Sequence, residues 1–175
     1  MKKIFLAILF SILTTVHIDA QEAYSPQRIL KSLQHFYAEF KGGDELIQKS
    51  VGYLVFPDVY KAGLVVGGEY GEGALVQQGS ITSYYKMYST SIGLQAGAQK
   101  RSLLILFLTK EALNRFINKE EWKVGVDGNV AVMNWSKGTD LSSLDIKKDT
   151  IAIVYSDVGI MANISLQGTV FQRMK

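Results

Sequence analysis

Residues 51–108 read VGYLVFPDVYKAGLVVGGEYGEGALVQQGSITSYYKMYSTSIGLQAGAQKRSLLILFL. Short runs rich in Val, Ile, Leu, Tyr and Phe alternate here with glycine, the pattern of β-strands punctuated by turns. The expected strands are Gly52–Phe56, Ala62–Val66, Gly73–Val76, Ser80–Met87, Ser91–Gly97 and Ser102–Leu108. Three more follow downstream, Lys123–Met133, Thr150–Tyr155 and Ile160–Phe171, the last bent near Gly168. Their linkers are too short for parallel crossovers. The fold class is therefore α+β, with a mainly antiparallel, glycine-rich sheet arranged as a meander, sandwich or partly closed barrel.

The segment Gly67-Gly68-Glu69-Tyr70-Gly71-Glu72-Gly73 has the glycine content of a phosphate loop. It lacks the Lys-Ser/Thr ending, carries two acids and runs into a strand instead of opening a helix. It is expected to form a bulge or inter-strand corner, a role Gly93 and Gly97 share.

Before the sheet, Ser25 and Pro26 signal a helix start, the first as N-cap and the second where a missing N–H costs nothing. Ile29, Leu30, Leu33, Phe36, Tyr37 and Phe40 then recur at helical spacing and fall within an arc of about 120°. Arg28, Lys31 and His35 lie together on one flank of the polar side. The apolar face has two uses, packing on the sheet or meeting a membrane whose head groups touch that flank. Gly42 and Gly43 end the helix, and Asp44 is expected to cap a second short one through Lys49. Thr109 caps a third over Lys110–Asn118, with Ala112, Leu113 and Phe116 inward. Ser136–Lys148 reads as an exposed loop.

At the N-terminus, Lys2 and Lys3 precede an apolar run from Ile4 to Val16 and a short polar stretch to Ala20, the form of a cleavable signal peptide. The run of about 13 residues is short of the roughly 18 to 20 that span a bilayer. Residues 1–20 are thus read as a signal peptide and 21–175 as one domain, exported to the periplasm or cell envelope. The chain has no cysteine, which excludes disulfides, thiol catalysis and the acylated cysteine of a lipoprotein. Removing Lys2, Lys3 and Asp19 takes the 19 basic and 16 acidic side chains to 17 and 15. A net charge this small does not suit nucleic-acid binding.

Catalytic readings fail on inventory. With His17 in the signal peptide, His35 is the sole histidine after residue 20, and no Gly-x-Ser-x-Gly setting presents a nucleophilic serine. Glu69, Glu72 and Asp157 would support hydrolysis only if they met in one cleft. No cofactor is implied, and the protein reads as a non-catalytic binding domain.

Several ordered blocks resemble the SYLF domain. They are Gly52-Tyr53-Leu54-Val55-Phe56-Pro57, Lys61-Ala62-Gly63, the Gly67–Gly73 segment, Gly93-Leu94-Gln95-Ala96-Gly97-Ala98-Gln99, Leu106-Phe107-Leu108-Thr109 with Glu111-Ala112-Leu113, Trp122-Lys123-Val124-Gly125-Val126-Asp127, and Gly159-Ile160-Met161-Ala162 with Ser165-Leu166-Gln167-Gly168-Thr169. The resemblance runs from about Arg28 to Arg173. It implies binding to phospholipid or a membrane surface through an amphipathic N-terminal segment, here Arg28, Ile29, Lys31, Leu33, His35, Phe36 and Phe40. Independently of it, Tyr84, Tyr85 and Tyr88 are expected to line the sheet side of a groove. Actin binding, known in eukaryotic members, is not expected in an exported bacterial setting. The few cations of the helix, and Gly128-Asn129 where relatives carry small residues such as Ala-Ser, do not favour strongly polyanionic lipids. A protein-interaction module of the cell envelope is the alternative.

Overall fold

The computed structural model describes residues 24–63, 66–92, 98–133, 148–156, 159–160 and 165–175. The expected signal peptide, the loop over 136–147, and Gly93, Gly97 and Asp157 lie outside the described residues.

Helix α1 spans Pro26–Glu39, and the Ser25 hydroxyl accepts a hydrogen bond from the Arg28 N–H at 3.4 Å. Phe40 closes it as the C-terminal cap. Helix α2 spans Gly43–Gln48, and its cap is Gly42 in the left-handed region at φ 79°, not the expected Asp44. The reason is spatial. A Cβ at Gly43 would lie 2.7 Å from the Phe36 ring, so the chain must turn tightly under α1. Helix α3 spans Lys110–Ile117 and is capped by the Thr109 side chain as expected.

The strands are β1 (Gly52–Gly63), β2 (Val66–Gln77), β3 (Ser80–Ile92), β4 (Ala98–Phe107), β5 (Glu121–Lys123), β6 (Ala131–Met133), β7 (Thr150–Ser156), β8 (Gly159–Ile160) and β9 (Val170–Arg173). They form a curled half-barrel sheet in the order β5-β9-β3-β2-β1-β4-β7-β6, with β8 beside β7. The pairings are antiparallel apart from β6 with β7, which is parallel and departs from the expected pattern. The predominantly antiparallel α+β class holds. Because β4 returns to the free edge of β1, the sheet is not a simple meander.

Several strand expectations change. Gly52–Phe56 and Ala62 belong to one long β1, which continues through Pro57 by a register shift between Val55 and Asp58. The shift gives proline, which lacks an N–H, a place off the ladder. The Gly67–Gly73 segment forms no corner but lies within β2, and the bulge half of the expectation holds, because the register shift of the β1–β2 pairing falls opposite Gly73. Gly73 is required there because a Cβ would meet the Val55 carbonyl oxygen at 2.1 Å and the Phe56 ring at 2.7 Å. Lys123–Met133 splits into β5 and β6 at opposite ends of the sheet. Asp127 accepts the Lys123 N–H at 2.7 Å and Gly125 turns back at φ 84°, so the chain leaves the ladder. Ile160–Phe171 divides likewise, with a turn at Gly168, φ 80°, before β9.

Apolar side chains cover both faces of the sheet. One face packs Leu54, Phe56, Leu103, Ile105 and Phe107 against α3 residues Leu113 and Phe116, with Trp122 and Phe171. The other packs Val55, Ala74, Val76, Leu104, Leu106, Ile153 and Tyr155 under α1 and α2. Successive residues of β4 and β7 go to opposite faces, as the two-residue repeat of a pleated sheet requires.

Candidate functional site

Helix α1 covers only part of its sheet face. Beyond the β1 register shift, the even-numbered residues of β1 and β2 continue on that face past the helix. Asp58 pairs with Glu72, and Glu72 with Lys86. One step further, Tyr60 pairs with Tyr70, Tyr70 with Tyr88, and Tyr60 also with Lys100 on β4. Three tyrosines thus stand in a row across adjacent strands, about 5 Å apart in the pairing direction. Their exposures are 40%, 46% and 37%, which places all three among the most exposed large hydrophobic residues described.

An ionic border separates this row from the helix. The Arg28 guanidinium bonds the Asp58 carboxylate, and Lys100 Nζ lies 2.7 Å from its other oxygen. Asp58 is buried, whereas Arg28 and Lys100 keep 39% and 49% of their side chains exposed. Glu72 is also buried, and its Oε1 accepts the Tyr70 hydroxyl at 2.5 Å. Burial first, and then the Glu72 hydrogen bond, push the Tyr70 phenol up to about 12. Tyr24, just before α1, stacks near Tyr84 with ring centroids 5.2 Å apart.

The residues expected to meet lipid divide between two settings. Ile29, Leu33, Phe36 and Phe40 are 2%, 6%, 0% and 5% exposed, with Phe36 and Phe40 stacked around Tyr155. As folded, that face belongs to the core, so the alternative of packing on the sheet is the one the structure takes. Ser32 adds a 2.8 Å hydroxyl contact to Tyr155, whose phenol burial pushes up to about 12. Of the cationic flank, Arg28 joins the border, Lys31 is exposed, and half-buried His35 places its ring 6.1 Å from that of Tyr155. The exposed large apolar residues of α1 are Leu30 and Tyr37.

The expected grouping of Tyr84, Tyr85 and Tyr88 is corrected as well. Consecutive strand residues point to opposite faces, so Tyr85 enters the α3-side core while Tyr84 and Tyr88 stay on the α1 side. The same alternation separates Glu69 from Glu72. Glu69 lies on the α3 side, bonded to buried Arg101 with Lys61 3.5 Å away, so the two acids form no common cleft. Tyr60 and Tyr70 escape a linear reading because only strand register aligns them with Tyr88. Among the described residues, no helix is long and apolar enough to cross a membrane and no three potential metal ligands converge.

The chain is thus a half-barrel of mainly antiparallel strands with α1 and α2 on one face, α3 on the other, and an exposed aromatic row. The family model described as Ysc84, Las17-binding protein actin regulator, matches residues 88–175. The chain belongs to this family, that of the SYLF domain. The match begins at Tyr88 of the aromatic row and runs through β4 to the C-terminus. Comparison with curated proteins found no match.

Proposed function

We propose that this chain is an exported, non-catalytic SYLF-type domain that binds phospholipid or a related amphiphile at the periplasmic or envelope surface. The tyrosine row Tyr60, Tyr70 and Tyr88 carries the reading. Tyrosines combine an apolar ring with a polar tip, the amphipathic character that places them at the head-group level of membranes. An exposed aromatic patch bordered by polar groups marks an interaction surface. Arg28 and Lys100, at its edge, supply cations at the depth of lipid phosphates. Export is supported by Lys2, Lys3, the Ile4–Val16 run and Ala20.

Vesicle flotation tests this directly. The wild-type protein is expected to float with phospholipid vesicles, and the triple variant Tyr60→Ser, Tyr70→Ser, Tyr88→Ser to stay at the bottom while keeping its circular dichroism spectrum. Flotation unchanged in the triple variant would show that another surface is used. No flotation of wild type with any vesicle defeats the lipid reading. The family description names protein binding, so capture of an envelope protein lost in the same triple variant would then assign the row to a protein partner.

A further inference from the structure

Beside the tyrosine row, on the same face, stands a carboxylate with an unused oxygen. Glu72 is 8% exposed, and its Oε1 is engaged by Tyr70, but its Oε2 is shielded from solvent and has no hydrogen-bond partner. A buried carboxylate oxygen left in this way costs stability unless something donates to it. The neighbouring groups do not. Asp58, opposite in register, is itself an acid and its oxygens are taken by Arg28 and Lys100. Lys86, opposite on β3, is half-buried on the same face and makes no hydrogen bond to Oε2. Tyr70, two residues back on the same face of β2, is 46% exposed and donates its hydroxyl to Glu72.

Electron-rich aromatic faces next to an acid are the combination that receives organic ammonium groups. A cation within about 6 Å of a tyrosine ring is attracted by its face, and aromatic cages hold choline-like groups in this way. Arg28 and Lys100, both bonded to Asp58 directly opposite Glu72, keep 39% and 49% of their side chains exposed. From these charges we infer that the site takes a zwitterionic phospholipid head group at a bilayer surface, with its ammonium toward Glu72 and the tyrosine rings and its phosphate toward Arg28 and Lys100. This deepens the lipid reading above and rests on it. The ammonium enters by parting Tyr70 from the carboxylate.

The experiment compares vesicles of phosphatidylethanolamine with phosphatidylcholine against vesicles of phosphatidylglycerol alone, using the whole chain as secreted. Wild type is expected to bind the zwitterionic vesicles at least about tenfold more tightly, a difference of about 1.4 kcal/mol. Glu72→Gln, which keeps an acceptor for Tyr70 but removes the charge, is expected to erase that preference, and Lys86→Met to preserve it. Equal binding of both vesicle types by wild type, or loss of the preference in Lys86→Met as well, overturns the inference and leaves the lipid reading standing. Failure to bind any vesicle removes both. Soluble phosphoethanolamine competing with wild type for zwitterionic vesicles gives a readout that needs no variant to fold. Competition supports the inference, and competition by inorganic phosphate alone with none by phosphoethanolamine overturns it.

Discussion

The α1 side of the sheet is two surfaces laid end to end on the same strands. On β1 the residue Val55 is fully buried under α1, yet Tyr60, on the same face past the register shift, is 40% exposed. On β2 the contrast runs from Ala74, buried, to Tyr70, 46% exposed. Between them lies the row Asp58, Glu72 and Lys86, where Arg28 and Lys100 hold the charge of Asp58. Dry packing ends where a buried acid can recruit partly hydrated cations, and beyond that line aromatic residues face outward. The comparison separates residues that keep the fold from residues available to a ligand, although both sets are apolar.

The sharpest way to break this division is Phe36→Ala. Phe36 is fully buried between Phe40 and Tyr155, so a loss of about 3–5 kcal/mol in urea unfolding is expected. A loss below about 0.5 kcal/mol would mean that α1 is not core and would return its apolar face to the list of contact surfaces. Next comes Gly73→Ala on β2. With the Val55 carbonyl oxygen 2.1 Å from the added Cβ, the β1–β2 pairing must open, at a cost of about 1–3 kcal/mol. An unchanged midpoint would show that β1 can move aside at its bulge.

A pH titration sharpens the same contrast. The phenols of Tyr155, in the dry half, and Tyr70, in the open half, are both raised from 10.0 to about 12, first by burial. A raised tyrosine pKa means that the folded state holds its proton where the unfolded chain has lost it. Stability is therefore intact below pH 10 and declines as pH rises from there through about 12. Urea midpoints across that window should fall for wild type and fall less steeply for Tyr155→Phe. Tyr70→Phe should flatten the slope less, because its half-exposed ring leaves the phenolate partly hydrated. Equal slopes in all three proteins would refute the assignment of Tyr155 to the dry half. At the small end, Tyr60→Ser and Tyr88→Ser should each change stability by within about 0.5 kcal/mol while affecting vesicle binding, whereas Tyr70→Ser, which removes the donor to buried Glu72, should cost about 1–3 kcal/mol.

Much of the local structure was legible from residue order. Ser25-Pro26, the 3.6-residue spacing from Ile29 to Phe40, and Thr109 ahead of Ala112-Leu113 each carry their own start signal and period, and α1 and α3 form where those signals stand. The ordered SYLF blocks also fit the family to which the chain belongs. At Gly67–Gly73 the expected corner did not form, whereas the bulge did, opposite Gly73. Glycine marks a turn at Gly125 and Gly168, where φ is positive, but at Gly73 it marks a close approach of two strands, and sequence does not distinguish the two. The candidate site was half legible: Arg28 was found on the helix, and Tyr60 and Tyr70 were not.

The residue pattern by itself determined that a capped amphipathic helix precedes a glycine-rich, mainly antiparallel sheet, because capping, helical period and strand alternation act over a few neighbouring residues. Tertiary structure alone decided which apolar face is core and which is open. That choice depends on register: Asp58, Glu72 and Lys86 share one cross-strand level, and Tyr60, Tyr70 and Tyr88 the next. A shift of one residue in β1 moves every later side chain to the other face. The bulge at Val55–Asp58 therefore places Tyr60 beside Tyr70, and only the pairing of the long strands could fix it there.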